Sequence, residues 1–158
     1  MLLTPHTLVG VAIASTVPEI SIAVPVSFVM HFMGDLVPHW DFYTYTTKEQ
    51  RISGWRPIAV MADLAIGIAV GMFFTLYALW VLKNPYLAVN IFLSGIASVL
   101  PDALTGPSLY MDKVPFPFKW IHAIQSRLQF PASLPWGMVT QVIVAVFCLG
   151  LILGSLTL

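Results

Sequence analysis

Apolar residues fall into five blocks along the chain, separated by short polar or proline-bearing stretches. The blocks run from about Pro5 to Val17, Ile20 to Val37, Ile58 to Leu82, Tyr86 to Leu100, and Pro135 to Leu158. Each is expected to form a helix. The third is long enough to cross a hydrocarbon core of about 30 Å at about 1.5 Å per residue, and the fifth reads as one uninterrupted apolar run. The first, second and fourth are short for a full crossing, which predicts shallow helices or helices shielded by their neighbours. Pro18, Pro38, Pro85, Pro101 and Pro107 fall at block ends, where the residue before a proline is pushed out of the helical region. Between the fourth and fifth blocks, Lys119–Leu128 sets Trp120, Ile121, Ile124 and Leu128 against Lys119, Gln125, Ser126 and Arg127. That alternation predicts an amphipathic helix lying in an interface plane. The expected architecture is all-α: a polytopic membrane helical bundle of about five apolar helices plus one interfacial helix. It forms a single integral membrane domain over residues 1–158.

Composition removes the other classes. The 158 residues are 58% hydrophobic and 9% charged, with mean hydropathy +0.88, whereas soluble domains carry about 25% charged residues. Seven basic and seven acidic side chains cannot cover a soluble globule of 17.4 kDa. The net charge of zero offers nucleic acid no electrostatic footprint, so the expected partner is a lipid bilayer and no nucleic acid is expected. Cys148 is the one cysteine, so no intrachain disulfide forms, and it reads as a small buried hydrophobe. The N-terminus has neither a basic region nor a small-residue cleavage site, so the first block is expected to be retained as a helix.

The bases suggest an orientation. Lys48, Arg51 and Arg56 follow the second block, and Lys113, Lys119 and Arg127 follow the fourth. With alternating spans these six share one side, and only Lys83 lies on the other. The positive-inside rule makes the six-base side and the N-terminus of this multi-pass chain cytoplasmic. Trp40, Trp55, Trp120 and Trp136 would line that interface, and Trp80 the opposite one.

The first and third blocks start alike (His6 to Gly10, Asp63 to Gly67), and the second and fourth end alike (Leu36-Val-Pro-His39, Val99-Leu-Pro-Asp102). These echoes suggest half-repeats over residues 4–41 and 61–104. Helical hairpins would then bring His6, His39, Asp63 and Asp102 to one membrane face.

The densest chemistry is His31-Phe-Met-Gly-Asp35-Leu-Val-Pro-His39-Trp-Asp41. His31 and Asp35 are four apart and share a helix face, with His39 about one turn on. Imidazole and carboxylate at this spacing can reach one ion or two adjacent ones. The alternative is a polar cluster that caps or packs helices, but ionisable groups within membrane segments are costly and point to function. His6, His31, Asp35, His39, Asp63, Asp102 and His122 are the candidate metal ligands. Asp41 is a candidate ligand or an acceptor orienting one, and Gln125 is placed beside the same site. Asp63 also suits a charge near a helix N-terminus, whereas Asp102 at a helix C-terminus needs a compensating cation. This set fits two or three divalent ions. Such ions activate a water and stabilise a leaving phosphoester oxygen, with Asp35 or Asp63 as ligand or proton acceptor. Arg51 and Arg56 are candidate phosphate contacts, or simply mark the cytoplasmic side.

Thr4-Pro-His6-Thr7 with Gly10, His31-Phe-Met-Gly-Asp35-Leu-Val-Pro-His39-Trp-Asp41, and Leu100-Pro-Asp102 together resemble a family of bacterial inner-membrane metal-dependent hydrolases. That family has also been described as LexA-binding and as a domain of unknown function. It is distantly similar to the zinc-dependent phospholipase C and single-strand nuclease superfamily. The resemblance implies that His31 and Asp35 form a zinc-binding HxxxD pair, with His39 the following ligand and His6 the early one. The chain departs from the pattern in lacking a His-Arg-x-x-Thr-His motif, of which His122-Ala-Ile-Gln125 is the candidate remnant, and a final HxxxE or HxxxD pair. The expected function is hydrolysis of a phosphoester, with a phospholipid among the candidate substrates, by a metal-activated water. Divalent-cation transport and a non-catalytic, metal-stapled fold are the alternatives.

Overall fold

The computed structural model describes residues 1–106 and 116–156, apart from the Lys48 side chain. Among them lie seven α-helices and no strand. They are α1 (Leu3–Thr16), α2 (Ile20–Asp35), α3 (Lys48–Arg51), α4 (Arg56–Leu76), α5 (Pro85–Thr105), α6 (Phe118–Leu128) and α7 (Trp136–Leu156). A π-helical turn, Tyr77–Val81, continues α4. Pro107 and Lys113 lie outside the described residues.

Among the described residues three helices, not five, are long and apolar enough to cross a membrane: Arg56–Val81, Pro85–Thr105 and Trp136–Leu156. The other two apolar blocks form helices of 14 and 16 residues, about 21 and 24 Å long at about 1.5 Å per residue, short of a core of about 30 Å. Their apolarity has different causes. α1 packs against α2, α4, α5 and α7, and Leu8, Val9, Val11, Ala12 and Ala14 are all buried. A helix apolar on every side is one buried on every side, and here protein rather than lipid does the burying. α2 buries only Ala23, Ser27, His31 and Asp35, while Ile22, Val29 and Met33 are at least half exposed.

Close backbone approach holds α1 on α5. A Cβ at Gly10 would lie 2.5 Å from the Ser94 carbonyl oxygen and 2.6 Å from Ser98 Oγ, so any larger residue would push the two helices apart.

The fourth block does not stop at its proline. α5 runs through Pro101 to Thr105, whereas α2 ends before Pro38. An interior proline removes one donor and crowds the carbonyl four residues earlier, and neighbouring groups make this tolerable. Next to that crowded turn, the Ser98 carbonyl accepts from His31 Nδ1 at 2.8 Å. The echo between the two hairpins is therefore inexact, and Asp102 sits on a helix rather than beyond one.

The amphipathic segment forms α6 as expected, with Ile121 and Leu128 half-buried and Lys119, Ser126 and Arg127 exposed. Gln125 is buried, while Trp120 and Ile124 are exposed. Trp55, Trp120 and Trp136 are exposed at the end where the histidines gather, and Trp80 at the far end of α4.

Candidate metal centre

The site lies where the start of α1, the ends of α2 and α5, and the middle of α6 meet. His6 on α1, His31 on α2 and Asp102 on α5 each offer a ligand atom, all within 4.8 Å of one another. The two imidazoles stack at 4.0 Å between centroids and 21° between planes. His31 Nε2 lies 3.6 Å from Asp102 Oδ1 and 3.5 Å from Asp35 Oδ2. Its other nitrogen is committed to the Ser98 carbonyl, and that contact aims Nε2 at the carboxylates.

Asp35 stands among the three histidines of the first half. Its Oδ1 lies 3.2 Å from His6 Nε2 and 3.9 Å from His39 Nε2, and it accepts from the Met1 amino group at 2.5 Å. Its Oδ2 makes no hydrogen bond, and neither do His6 Nδ1 and Gln125 Oε1, although all three atoms are buried. Buried polar atoms are normally satisfied, and Ser27 Oγ of α2 is a fourth without a partner; the donor set of His6 Nδ1, Asp35 Oδ2 and Gln125 Oε1 suits a cation.

The loop after α2 is pinned across the molecule. His39 and Trp40 donate backbone hydrogen bonds to the carbonyls of Phe130 and Gly137 at 3.1 Å. A Cβ on Gly137 would come within 2.5 Å of the Trp40 nitrogen, so the bare backbone of α7 is what lets the loop sit down. His39 Nδ1 meets the Val37 carbonyl at 2.9 Å. Burial pushes the His39 imidazole below its ordinary range, keeping it neutral, the form that ligates a metal.

Gln125 occupies the place expected for it. Its Nε2 donates to Asp102 Oδ1 and lies 3.4 Å from His31 Nε2. The amide thus gives Asp102 a donor at the end of α5, where an anion at a helix C-terminus demands compensation.

Three expected ligands are employed differently. Asp63 caps α1: its carboxylate accepts from the backbone N–H of Leu3 at 2.6 Å, that of Thr4 at 3.2 Å, and Thr4 Oγ1 at 2.6 Å. It satisfies orphan donors that every helix start exposes, so its role as ligand or proton acceptor is replaced by an anchoring one. Asp41 turns into its own loop, where Oδ1 accepts from Tyr43 N at 2.7 Å and Thr44 Oγ1 at 2.9 Å. His122 is exposed and lies outside the three-residue group. It faces the same cleft, a space of about 490 Å³ also lined by Asp41, Arg51, Asp63, Asp102 and Gln125. Arg51 is held in that wall by Thr46, at 3.2 and 3.3 Å, and lies over the Tyr43 ring. Arg56 instead covers the Trp55 ring at 5.2 Å and is not among the residues lining the cleft.

Sequence reasoning missed the polar residues that support the ligands. Gln141 lies inside the fifth block, read as wholly apolar. It accepts from Leu2 N at 2.8 Å and donates to the Trp40 carbonyl at 2.7 Å, tying the start of α1 to the His39 loop. A lone buried amide in an apolar run was the available signal. Comparison with protein-family models, curated proteins and solved structures finds no match to this chain.

Proposed function

We propose that this chain is a membrane-embedded, metal-dependent hydrolase of phosphoesters, of the kind its motifs resemble. The observation that carries the reading is the convergence of His6, His31 and Asp102 around unpaired buried atoms of His6, Asp35 and Gln125. Imidazole and carboxylate together suit zinc. A divalent ion held there would polarise a phosphoryl oxygen and acidify a water. In this reading His31 is the best-oriented ligand and Asp102 the opposing carboxylate. Asp35 Oδ2 is the acceptor for a proton released at the site, and Gln125 keeps Asp102 in place. Arg51 reaches a phosphate in the cleft. Asp35 and His39 could complete a second site.

The gathering of these groups at one end of the bundle favours hydrolysis over transport, since an ion pathway needs ligands spread through the depth of the spans. We place the site at the cytoplasmic face of an inner membrane because Arg51, Arg56, Lys119 and Arg127 lie at that end and Lys83 at the other.

The test is metal content and turnover of protein purified in mild detergent. Stoichiometric zinc or manganese, with metal-dependent cleavage of a water-soluble phosphoester, is the expected result. Metal-free protein would overturn the reading. So would a His31→Ala, Asp35→Ala variant of unchanged thermal stability that retains both metal and turnover. Zinc flux into vesicles without turnover would decide for transport, and metal-dependent folding without turnover for a staple.

A further inference from the structure

A second hollow opens beside the first. It has a volume of about 110 Å³ and runs between α4 and α5, with Thr7 of α1 at its floor. Its walls are almost wholly apolar and include Gly67 and Gly71 of α4 and Phe92, Gly95 and Ile96 of α5. Leu3, Leu64 and Val99 line both this groove and the polar cleft, so the two spaces adjoin. A Cβ on Gly95 would meet nothing within 4 Å. The groove follows α4 from Leu64 to Thr75, about 17 Å at about 1.5 Å per residue. That is roughly half of a hydrocarbon core of about 30 Å, the depth of one leaflet. Both walls belong to helices long and apolar enough to cross a membrane, and Ile68, Phe92 and Ile96 are at least two-fifths exposed.

An apolar channel one leaflet deep, joined to a cleft lined by the Arg51 guanidinium, Asp102 and Gln125, fits a molecule with two unlike ends. We propose that the site takes a single-chain lipid phosphate: its head lies in the cleft near Arg51 and Asp102, and its alkyl or acyl chain lies between α4 and α5. The assignment of the head rests on the phosphoesterase reading above. The assignment of the chain rests on the groove alone. A water-soluble phosphoester would leave the groove without a role, while a lipid entering sideways between two spans need never leave the bilayer. Gly95 supplies the width, because its Cβ position is open, whereas Gly67 and Gly71 let α4 close on Thr7 of α1, which would lie 3.1 and 3.3 Å from a Cβ there.

The test uses the full chain in phosphatidylcholine nanodiscs and a diazirine-bearing hexadecyl phosphate as photoprobe. Labelling is expected at Phe92, Ile96 and Met72, competed by hexadecyl phosphate but not by hexadecanol. Gly95→Leu puts its Cβ where no protein atom lies within 4 Å and should cut that labelling about tenfold, the loss expected when roughly two methylenes leave an apolar site. Gly150→Leu, at an equally open position on α7, should leave labelling unchanged. Labelling indifferent to Gly95→Leu, or spread evenly over α7 as by surrounding lipid only, would overturn the proposal. Turnover separates the two readings. Groove labelling as expected with no hydrolysis of either hexadecyl or ethyl phosphate leaves the chain site standing and removes the hydrolase. Hydrolysis of both substrates at rates unaffected by Gly95→Leu leaves the hydrolase standing and removes the groove.

Discussion

The two ends of α1 are both surrounded by buried polar side chains, yet those side chains behave differently. At the C-terminal end, Asn90 Nδ2 lies within 3.3 Å of the carbonyls of Ala14, Val17 and Pro18, and Ser94 donates to its Oδ1. Carbonyls that a helix end leaves over are thereby closed off. At the N-terminal end, Asp63 and Gln141 perform the same closure for the backbone of Leu2, Leu3 and Thr4. One turn further on, His6, Asp35 and Gln125 keep buried atoms without partners. Buried polarity that satisfies itself is structural. Buried polarity left open, at a desolvation cost, is where a ligand belongs.

That contrast can be broken in graded steps. The largest effect is expected from His31→Ala with Asp35→Ala, which should drop bound metal to background by elemental analysis. Next is Gln125→Ala, which removes the donor to Asp102. It should weaken metal binding about 10–100-fold, the range for groups that orient ligands, as read by competition with a calibrated chelator. Asn90→Ala should cost about 1–3 kcal/mol by stranding buried carbonyls while leaving metal stoichiometry intact; a loss of metal would blur the two ends into one network. Asp63→Ala should cost about 0.5–2 kcal/mol, as for a lost helix cap, measured by denaturation in detergent. Metal lost from an Asp63→Ala protein of unchanged stability would return Asp63 to the ligand set. The smallest effect is expected from His122→Ala, whose metal content should match that of the parent chain.

Helix positions were largely legible in the sequence, because apolar blocks and their punctuation act locally. The predicted Lys119–Leu128 segment differs from α6 by one residue at its start, and Pro85 begins α5. Pro101 was misleading for a physical reason. A proline's lost hydrogen bond is a local cost, but helix ends depend on whether neighbours can absorb it, and α2 stands close enough to supply His31. The number of crossings misled similarly. Apolar residues mark absence of water without saying whether lipid or protein replaces it.

The candidate site divides along the same line. His31 and Asp35 were identifiable because four-residue spacing on a helix fixes a common face without help from elsewhere. Gln125 was identifiable only through the resemblance, as the end of His122-Ala-Ile-Gln125. Asp63, near a helix start, and Asp102, near a helix end, were both expected ligands. Their fates depend on which neighbour meets them: the bare amides that start α1 for Asp63, two histidines and an amide for Asp102.

The sequence by itself determined an all-helical, membrane-compatible chain and the HxxxD pair, since hydropathy and helical period are properties of short segments. Only the tertiary structure decided that α1 is the buried centre, that His6 stacks on His31, that Asp63 is a cap, and that a groove joins the cleft. Each of these depends on which helix lies beside which, and hydropathy carries no record of its neighbours.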